Sequence, residues 1–269
     1  MAEVLSDMVH LCIVLSIQAA SRAAGLPADA RAARGGYHVP MALHKEHLPE
    51  PLPAEPLALV ADWLSQAARA NVQPNANAMV LATVDAEGAP SARVVLCKEI
   101  RPDTGYVTFF TNYQSHKGAE LSGNPRAAAV MYWDVLHRQV RLEGVVTPTT
   151  AAESDAYFAS RSWQSRIGAW ASQQSTPIAS RTELERATAD VARRFGVPSP
   201  TASDDVAPDP GVAIPRPPHW GGYHLWVQAV ELWGEGVARL HDRARWTRSL
   251  SPAGGGFSGG PWSATRLQP

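Results

Sequence analysis

Two cysteines in 269 residues, Cys12 and Cys97, are too few and too far apart to frame a disulfide scaffold or a thiolate metal site. That fits a reducing cytoplasm, with Cys97 buried and structural. Lysine is nearly as scarce: Lys45, Lys98 and Lys117 are the whole set, so arginine carries most of the positive charge. A formal net charge of −1 leaves no excess of cations for a general nucleic-acid or membrane-surface binder, and any anion site must be local. The apolar run Leu11 to Ile17 is too short to span a bilayer and follows Glu3, Asp7 and His10 rather than a basic stretch. No segment has P-loop spacing, and no Gly-x-Gly-x-x-Gly opens a helix after a strand. His44 and His47 have metal-ligand spacing but no evident third ligand, so no metal is expected.

What is present reads as a mainly β chain with helices. Residues 1–50 read as a poorly ordered extension. Leu57, Val60, Trp63, Leu64 and Ala67 then recur at helical spacing over 56–70. Short β-rich runs follow at 79–85, 92–100 and 106–111, separated by turn residues at 86–88 and 102–105. A short helix at 117–121 stops at Gly123-Asn124-Pro125, and strands are expected at 127–133 and 139–146. Five strands joined by short turns suggest a barrel. Helices are expected at 151–160 and 181–195, the second opened by Ser180-Arg181-Thr182-Glu183 and closed by Gly196. Residues 197–218, rich in Pro, Ser, Ala and Asp, read as a surface loop or disordered insertion. Residues 223–233 regain strand character with 239–246 as hairpin partner, and 254–260 read as a glycine-rich linker.

Several constellations invite an anion. On a strand, Arg239, His241 and Arg243 project to one side, which suits an anionic ligand but equally a solvated edge paired with Asp242 and nearby Glu. Tyr157, Arg161 and Ser165, at i, i+4 and i+8, share one stripe of a continued helix and form a plausible phosphate basket, or an ordinary polar face. Arg93 and Lys98 have opposite parity on one strand, so they point to opposite faces and either serve two anions or leave one cation solvated. His116-Lys117 opens a short helix beside a strand end, where helix amides assist phosphate binding.

In order along the chain, over about residues 55–269, stand Arg93-Val-Val-Leu-Cys-Lys98, Phe110-Thr-Asn112, Arg138-Gln-Val140, the run Ser165 to Ser175, Trp220-Gly-Gly222, Glu231-Leu-Trp233, Arg239-Leu-His-Asp-Arg243 and Arg266-Leu-Gln-Pro269. Together these resemble the pyridoxine/pyridoxamine 5'-phosphate oxidase family. The resemblance implies a homodimer of FMN-binding split β-barrels with flavin at the subunit interface and sites built from both chains. It implies that FMN is held by Arg93, Val94, Val95, Leu96, Cys97, Lys98, Phe110, Thr111, His116, Lys117, Gln139, Gln174, Ser175, Trp233 and Arg243. Substrate phosphate falls to Lys98, Tyr157, Arg161 and Ser165, with Arg239 and His241 covering the pyridine ring as the catalytic pair. The resemblance further implies that residues 51–269 form the oxidase domain, with the insertion at 197–218 and a C-terminal dimerisation region.

The implied reaction is oxidation of pyridoxine or pyridoxamine 5'-phosphate by oxygen to pyridoxal 5'-phosphate and hydrogen peroxide, in vitamin B6 metabolism. Three departures stand out. His116 replaces the usual Arg beside the flavin phosphate, which points to weaker or pH-dependent FMN binding. The substrate-lid motif is only hinted at by Arg34-Gly-Gly-Tyr37, and the insertion at 197–218 is longer than usual. Two rival readings are a phenazine-biosynthesis-type oxidase on the same barrel and a non-catalytic FMN or pyridoxal-phosphate carrier. The phosphate basket argues against the first, and Arg239 and His241 against the second.

Overall fold

A computed structural model describes residues 47–200 and 210–269. Cys12, Lys45, His44, the 34–37 segment and most of the 1–50 extension lie outside the described residues.

The first element of the described residues is helix α1 (Pro56–Arg69), whose Leu57, Val60, Trp63 and Ala67 are buried and whose first turn is capped by the Glu55 carboxylate, 2.9 Å from the Leu57 amide. Strands β1 (Ala78–Val84), β2 (Pro90–Leu96), β3 (Glu99–Arg101) and β4 (Tyr106–Asn112) follow. The single strand expected over 92–100 is broken at Cys97-Lys98. There the Lys98 amide turns to the Thr108 carbonyl (2.8 Å) and β3 pairs with β4 instead. Helix α2 (His116–Gly123) leads into β5 (Arg126–Trp133) and β6 (Arg138–Pro148), and then come α3 (Ala151–Ala159), α4 (Trp163–Ala171) and α5 (Arg181–Phe195). The C-terminal part holds β7 (Trp220–Gly234), β8 (Asp242–Thr247), β9 (Leu250–Ala253), β10 (Gly256–Gly259) and β11 (Ser263–Leu267).

Nine strands form one sheet in the order β11-β8-β7-β6-β5-β1-β2, with β3 and β4 branching from β7. The branch is possible because β7 is 15 residues long: its first half pairs with β4, its second half with β8, and β6 runs along its other edge. The result is a split rather than closed barrel. Opposite Glu143 and Gly144 the register skips Gln228, a bulge in β7 at the point where β7 divides. Gly144 is required there, since a Cβ would overlap the Trp226 carbonyl oxygen.

Alternation sets the core. β1 reads half-buried/buried throughout, and its Met79 and Leu81 share one core cluster with Phe109, Met131, Trp133, Leu142, Leu232 and Trp246, all at most 1% exposed. A second apolar cluster lies under the helices, with Phe158, Trp163, Ile167, Ala192, Val197, Ile214 and Trp220. Ile214 corrects the reading of 197–218 as a surface loop: residues 201–209 lie outside the described residues, but Ile214 is buried and the Pro215 carbonyl accepts from Trp170 Nε1 at 2.7 Å. The glycine-rich linker is corrected too. Residues 250–259 form the β9–β10 hairpin, turning at Gly254 and Gly255, both at positive φ. Among the described residues no helix is long and apolar enough to cross a membrane.

Candidate active site

β2 ends the sheet, so among the described residues its outer backbone edge has no strand partner. Along that edge lies a cavity of about 1030 Å³, walled by β2 on one side and by α2, α3 and α4 on the others. Arg93, Val94, Val95 and Leu96 line it along the strand edge, a row of backbone donors and acceptors open to a ligand.

One end of the cavity is built on Lys117. It sits in the first turn of α2 and is 8% exposed; its ammonium donates to Gln174 Oε1 (2.8 Å), Thr111 Oγ1 (3.1 Å) and Ser115 Oγ (3.1 Å). All three acceptors are neutral. Burial, reinforced by the nearby Arg93 charge, pushes the Lys117 pKa down to about 8. The adjacent carboxylate is already engaged. Glu120 accepts from Arg93 (2.9 Å), Thr83 (2.6 Å) and Ser91 (2.6 Å); burial pushes its pKa up, but these hydrogen bonds outweigh burial and hold it below the ordinary range. His116 lies at the rim with Nε2 3.4 Å from Glu120 Oε1. A buried ammonium surrounded by dipoles and helix amides is completed by an anion.

The other end carries Lys98, Tyr157, Arg161 and Ser165, all of which line the cavity. The expectation that the last three share a continued helix is corrected. α3 ends at Ala159, and Ser162 caps a separate helix by accepting from the Ser165 amide (3.3 Å). The bend nevertheless brings the three residues to one wall. Arg161 places its guanidinium over the Trp220 ring at 4.8 Å, while its buried Nη1 has no hydrogen-bond partner, and burial lowers its pKa. Lys98 Nζ stands 5.6 Å from the centre of the Tyr157 ring, which stacks on Phe110 at 3.9 Å, and Phe110 in turn stacks on Trp220 at 5.5 Å. Arg93 and Lys98 thus reach the same cavity, and the parity argument fails because their strand ends between them.

The matches to known proteins cover both halves of this arrangement. Residues 64–194 match the family model described as pyridoxamine 5'-phosphate oxidase, and residues 220–269 match the pyridoxine 5'-phosphate oxidase C-terminal dimerisation region. The chain is 46% identical over 216 residues to the pyridoxine/pyridoxamine 5'-phosphate oxidase of Maricaulis maris, covering 80% of this chain and 86% of that one. The Ralstonia pickettii protein of the same name is 44% identical over 216 residues, covering 80% and 90%. This chain belongs to the pyridoxine/pyridoxamine 5'-phosphate oxidase family. Among solved structures, PhzG from Burkholderia lata 383 in complex with tetrahydrophenazine-1-carboxylic acid superposes with a TM-score of 0.67 at 31% identity, covering 81% of this chain and 94% of that one. An FMN-binding protein from Nostoc punctiforme shares the fold at 20% identity and a TM-score of 0.57, covering 79% and 96%.

Not every residue expected from the family motifs reaches the cavity. Phe110, Thr111, His116, Lys117, Gln174 and Ser175 line it, but Gln139, Trp233, Arg239, His241 and Arg243 do not line it in their own chain. Gln139, Trp233 and Arg243 are register partners across β6, β7 and β8 and form one row on the sheet. The three basic groups of the Arg239–Arg243 segment are not on one strand. Ala238 and Arg239 adopt positive φ in a short turn, and β8 begins only at Asp242. Arg243 is held by Glu231 (2.8 Å) and by the Gln268 carbonyl (3.1 Å), while His241 packs 4.7 Å from the Trp233 ring. The Cys97 side chain is also displaced from the expected set: it is 2% exposed in the core, and burial pushes its thiol up to about 12. Glu120 and Trp220 were missed as site residues. The i, i+4 spacing of His116 and Glu120 was the one available signal for the former.

Proposed function

We propose that this protein is an FMN-dependent oxidase that converts pyridoxine 5'-phosphate and pyridoxamine 5'-phosphate to pyridoxal 5'-phosphate, with oxygen as acceptor. The observation that carries this reading is one cavity with two separate cationic ends: the Lys117 ammonium, whose hydrogen bonds all go to neutral acceptors, and Arg161, whose buried Nη1 has no hydrogen-bond partner. Two phosphate groups in one site fit a phosphorylated flavin beside a phosphorylated substrate. The open β2 edge and the Phe110–Tyr157–Trp220 stack suit flat heteroaromatic rings.

FMN, when bound, supplies two-electron oxidation at the substrate's 4' carbon and returns the electrons to oxygen as hydrogen peroxide. The chain's part is placement. Lys117, Arg93 and the α2 amides hold the flavin phosphate. Lys98, Tyr157, Arg161 and Ser165 hold the substrate phosphate and so fix the 4' carbon over the ring. With the amine substrate, oxidation gives an imine at the 4' carbon; water adds to that carbon, and the C–N bond breaks to release ammonia and leave the aldehyde.

Arg239, His241, Gln139, Trp233 and Arg243 enter through a homodimer. Gln139, Trp233 and Arg243 lie on the sheet face carrying Arg141, Glu143, Glu231 and Arg245, an ion-pair network whose Glu231 is 3% exposed; His241 packs on Trp233 and Arg239 stands in the turn before β8, and a partner's copy of this surface completes the cavity. Residues 51–269 then form one oxidase domain with its dimerisation region at the C-terminus. The decisive measurement is oxygen consumption by the yellow protein with both phosphorylated vitamers in parallel. Turnover of neither overturns the reading. The likeness to PhzG favours a second reading, oxidation of a non-phosphorylated ring acid. One carboxylate does not need four donors as different as Lys98, Tyr157, Arg161 and Ser165, and a preference for such an acid over both vitamers would establish this alternative.

A further inference from the structure

Behind the substrate end of the cavity runs a chain of contacts that closes on itself, buried at Thr108 and His224 and reaching the surface at Glu153. The Lys98 amide is fixed on the Thr108 carbonyl at 2.8 Å. The Thr108 hydroxyl meets His224 Nδ1 at 3.0 Å, and His224 Nε2 meets Glu153 Oε1 at 3.2 Å. Glu153 stands one helical turn before Tyr157 on α3, so the two share a face, and Lys98 Nζ lies over the Tyr157 ring at 5.6 Å. Thr108 is 3% exposed and His224 8%, with the imidazole packed 4.0 Å from the Tyr106 ring.

The Glu153 carboxylate is divided between two tasks. Oε2 closes the capping box of α3, accepting from the Thr150 amide (2.8 Å) and hydroxyl (2.7 Å), which leaves Oε1 for His224. With the imidazole neutral, Nε2–H donates to Glu153 and Nδ1 accepts from Thr108. α3 has another attachment: Ser154 Oγ accepts from the Gly222 amide (3.1 Å) and contacts Thr149 Oγ1 (2.7 Å). Breaking the His224 contact therefore leaves the helix attached at Ser154, with Tyr157 held by its Phe110 stack but no longer by the polar bridge through Glu153.

We infer that His224 is a positioning residue for the substrate phosphate, holding Lys98 and Tyr157 in register by bridging Thr108 to Glu153. This rests on the proposed oxidase reading. In His224→Ala, KM for pyridoxine 5'-phosphate and Kd for inorganic phosphate on FMN-saturated protein both rise about tenfold, while kcat and the Kd for FMN change less than about twofold. His224→Gln, whose amide still donates to Glu153, recovers most of the loss. His224→Ala added to Tyr157→Phe costs clearly less than the two losses summed, because Tyr157 is one of the two residues that His224 holds. Full additivity in that pair, equal loss of FMN and phosphate binding, or unchanged KM and phosphate affinity in His224→Ala overturns the inference. If His224→Ala does not fold, Glu153→Gln, which keeps an acceptor for Thr150, is read against Tyr157→Phe in the same way. Absence of turnover with wild-type protein refutes the oxidase reading, and the phosphate titration then still decides the role of His224.

Discussion

Burial makes Lys117 a sensor of its own ligand. With its pKa near 8 in the free site, the ammonium loses its proton within a range easily reached in solution, and a phosphate beside it pulls the pKa back up. Binding of FMN should therefore take up a proton above pH 8, and its affinity should fall as pH rises through that value, by at most about tenfold per pH unit. FMN titrations between pH 7 and 9.5 check this; a flat profile, or one that survives in Lys117→Met, places the proton elsewhere. The stability of the free protein runs the other way. A lysine depressed on folding costs stability below its folded pKa, and that cost disappears as pH rises toward the unfolded value. The Arg93–Glu120 pair gives a second test. Arg93→Ala strands a carboxylate that is 3% exposed and should cost roughly 3 kcal/mol in urea unfolding as well as FMN retention. Adding Glu120→Gln should restore much of the stability but not the flavin, which separates the structural from the ligand-binding role of Arg93. Lys98 and Lys117 were legible in the sequence because lysine is scarce in this chain, and Arg93 because it opens the strand that ends at Lys98. Glu120 was not legible, because one carboxylate among many gains meaning only when three donors converge on it in space.

Elements reveal themselves where one rule acts alone. α1 and β1 follow from apolar periodicity, and their boundaries needed no tertiary information. The expected helix through Tyr157 and Ser165 failed because a serine cap outweighed periodicity: Ser162 bonds the Ser165 amide and starts α4 afresh. The Arg239–Arg243 strand failed because two consecutive residues take positive φ, a backbone choice that composition does not announce where neither residue is Gly. Gly144 and Gly254 make a contrasting pair at this scale. Gly144→Ala drives a methyl into the Trp226 backbone at the bulge where β7 divides, and should cost about 2–3 kcal/mol. Gly254→Ala, at φ 54° with open space around it, should cost only about 1 kcal/mol. Denaturant midpoints for the two variants rank these effects, and an equal loss in both would show that the bulge relaxes around the added methyl.

At the scale of the whole molecule, one chain presents a cavity that lacks five family-motif residues and, elsewhere, carries three of them on its sheet and the other two in the turn that leads into β8. Nothing in the sequence separates these groups, because the motifs run through the chain in one order whichever subunit's cavity they enter. A closed two-fold dimer reconciles them: an isologous interface brings each surface to the other chain's cavity twice over. Complementation tests this directly. Arg161→Ala damages the cavity and Arg239→Ala the turn that leads into β8, and each homodimer should have little activity. In heterodimers formed by co-expression, one site receives both lesions and the other receives neither. Random pairing then restores about a quarter of the wild-type sites, with the KM of wild type. If both residues instead served the site of their own chain, every site in the mixture would carry one lesion and mixing would restore nothing. A mixture that stays inactive although heterodimers are present would thus return Arg239 and His241 to their own chain, and would require the turn at 237–239 to move.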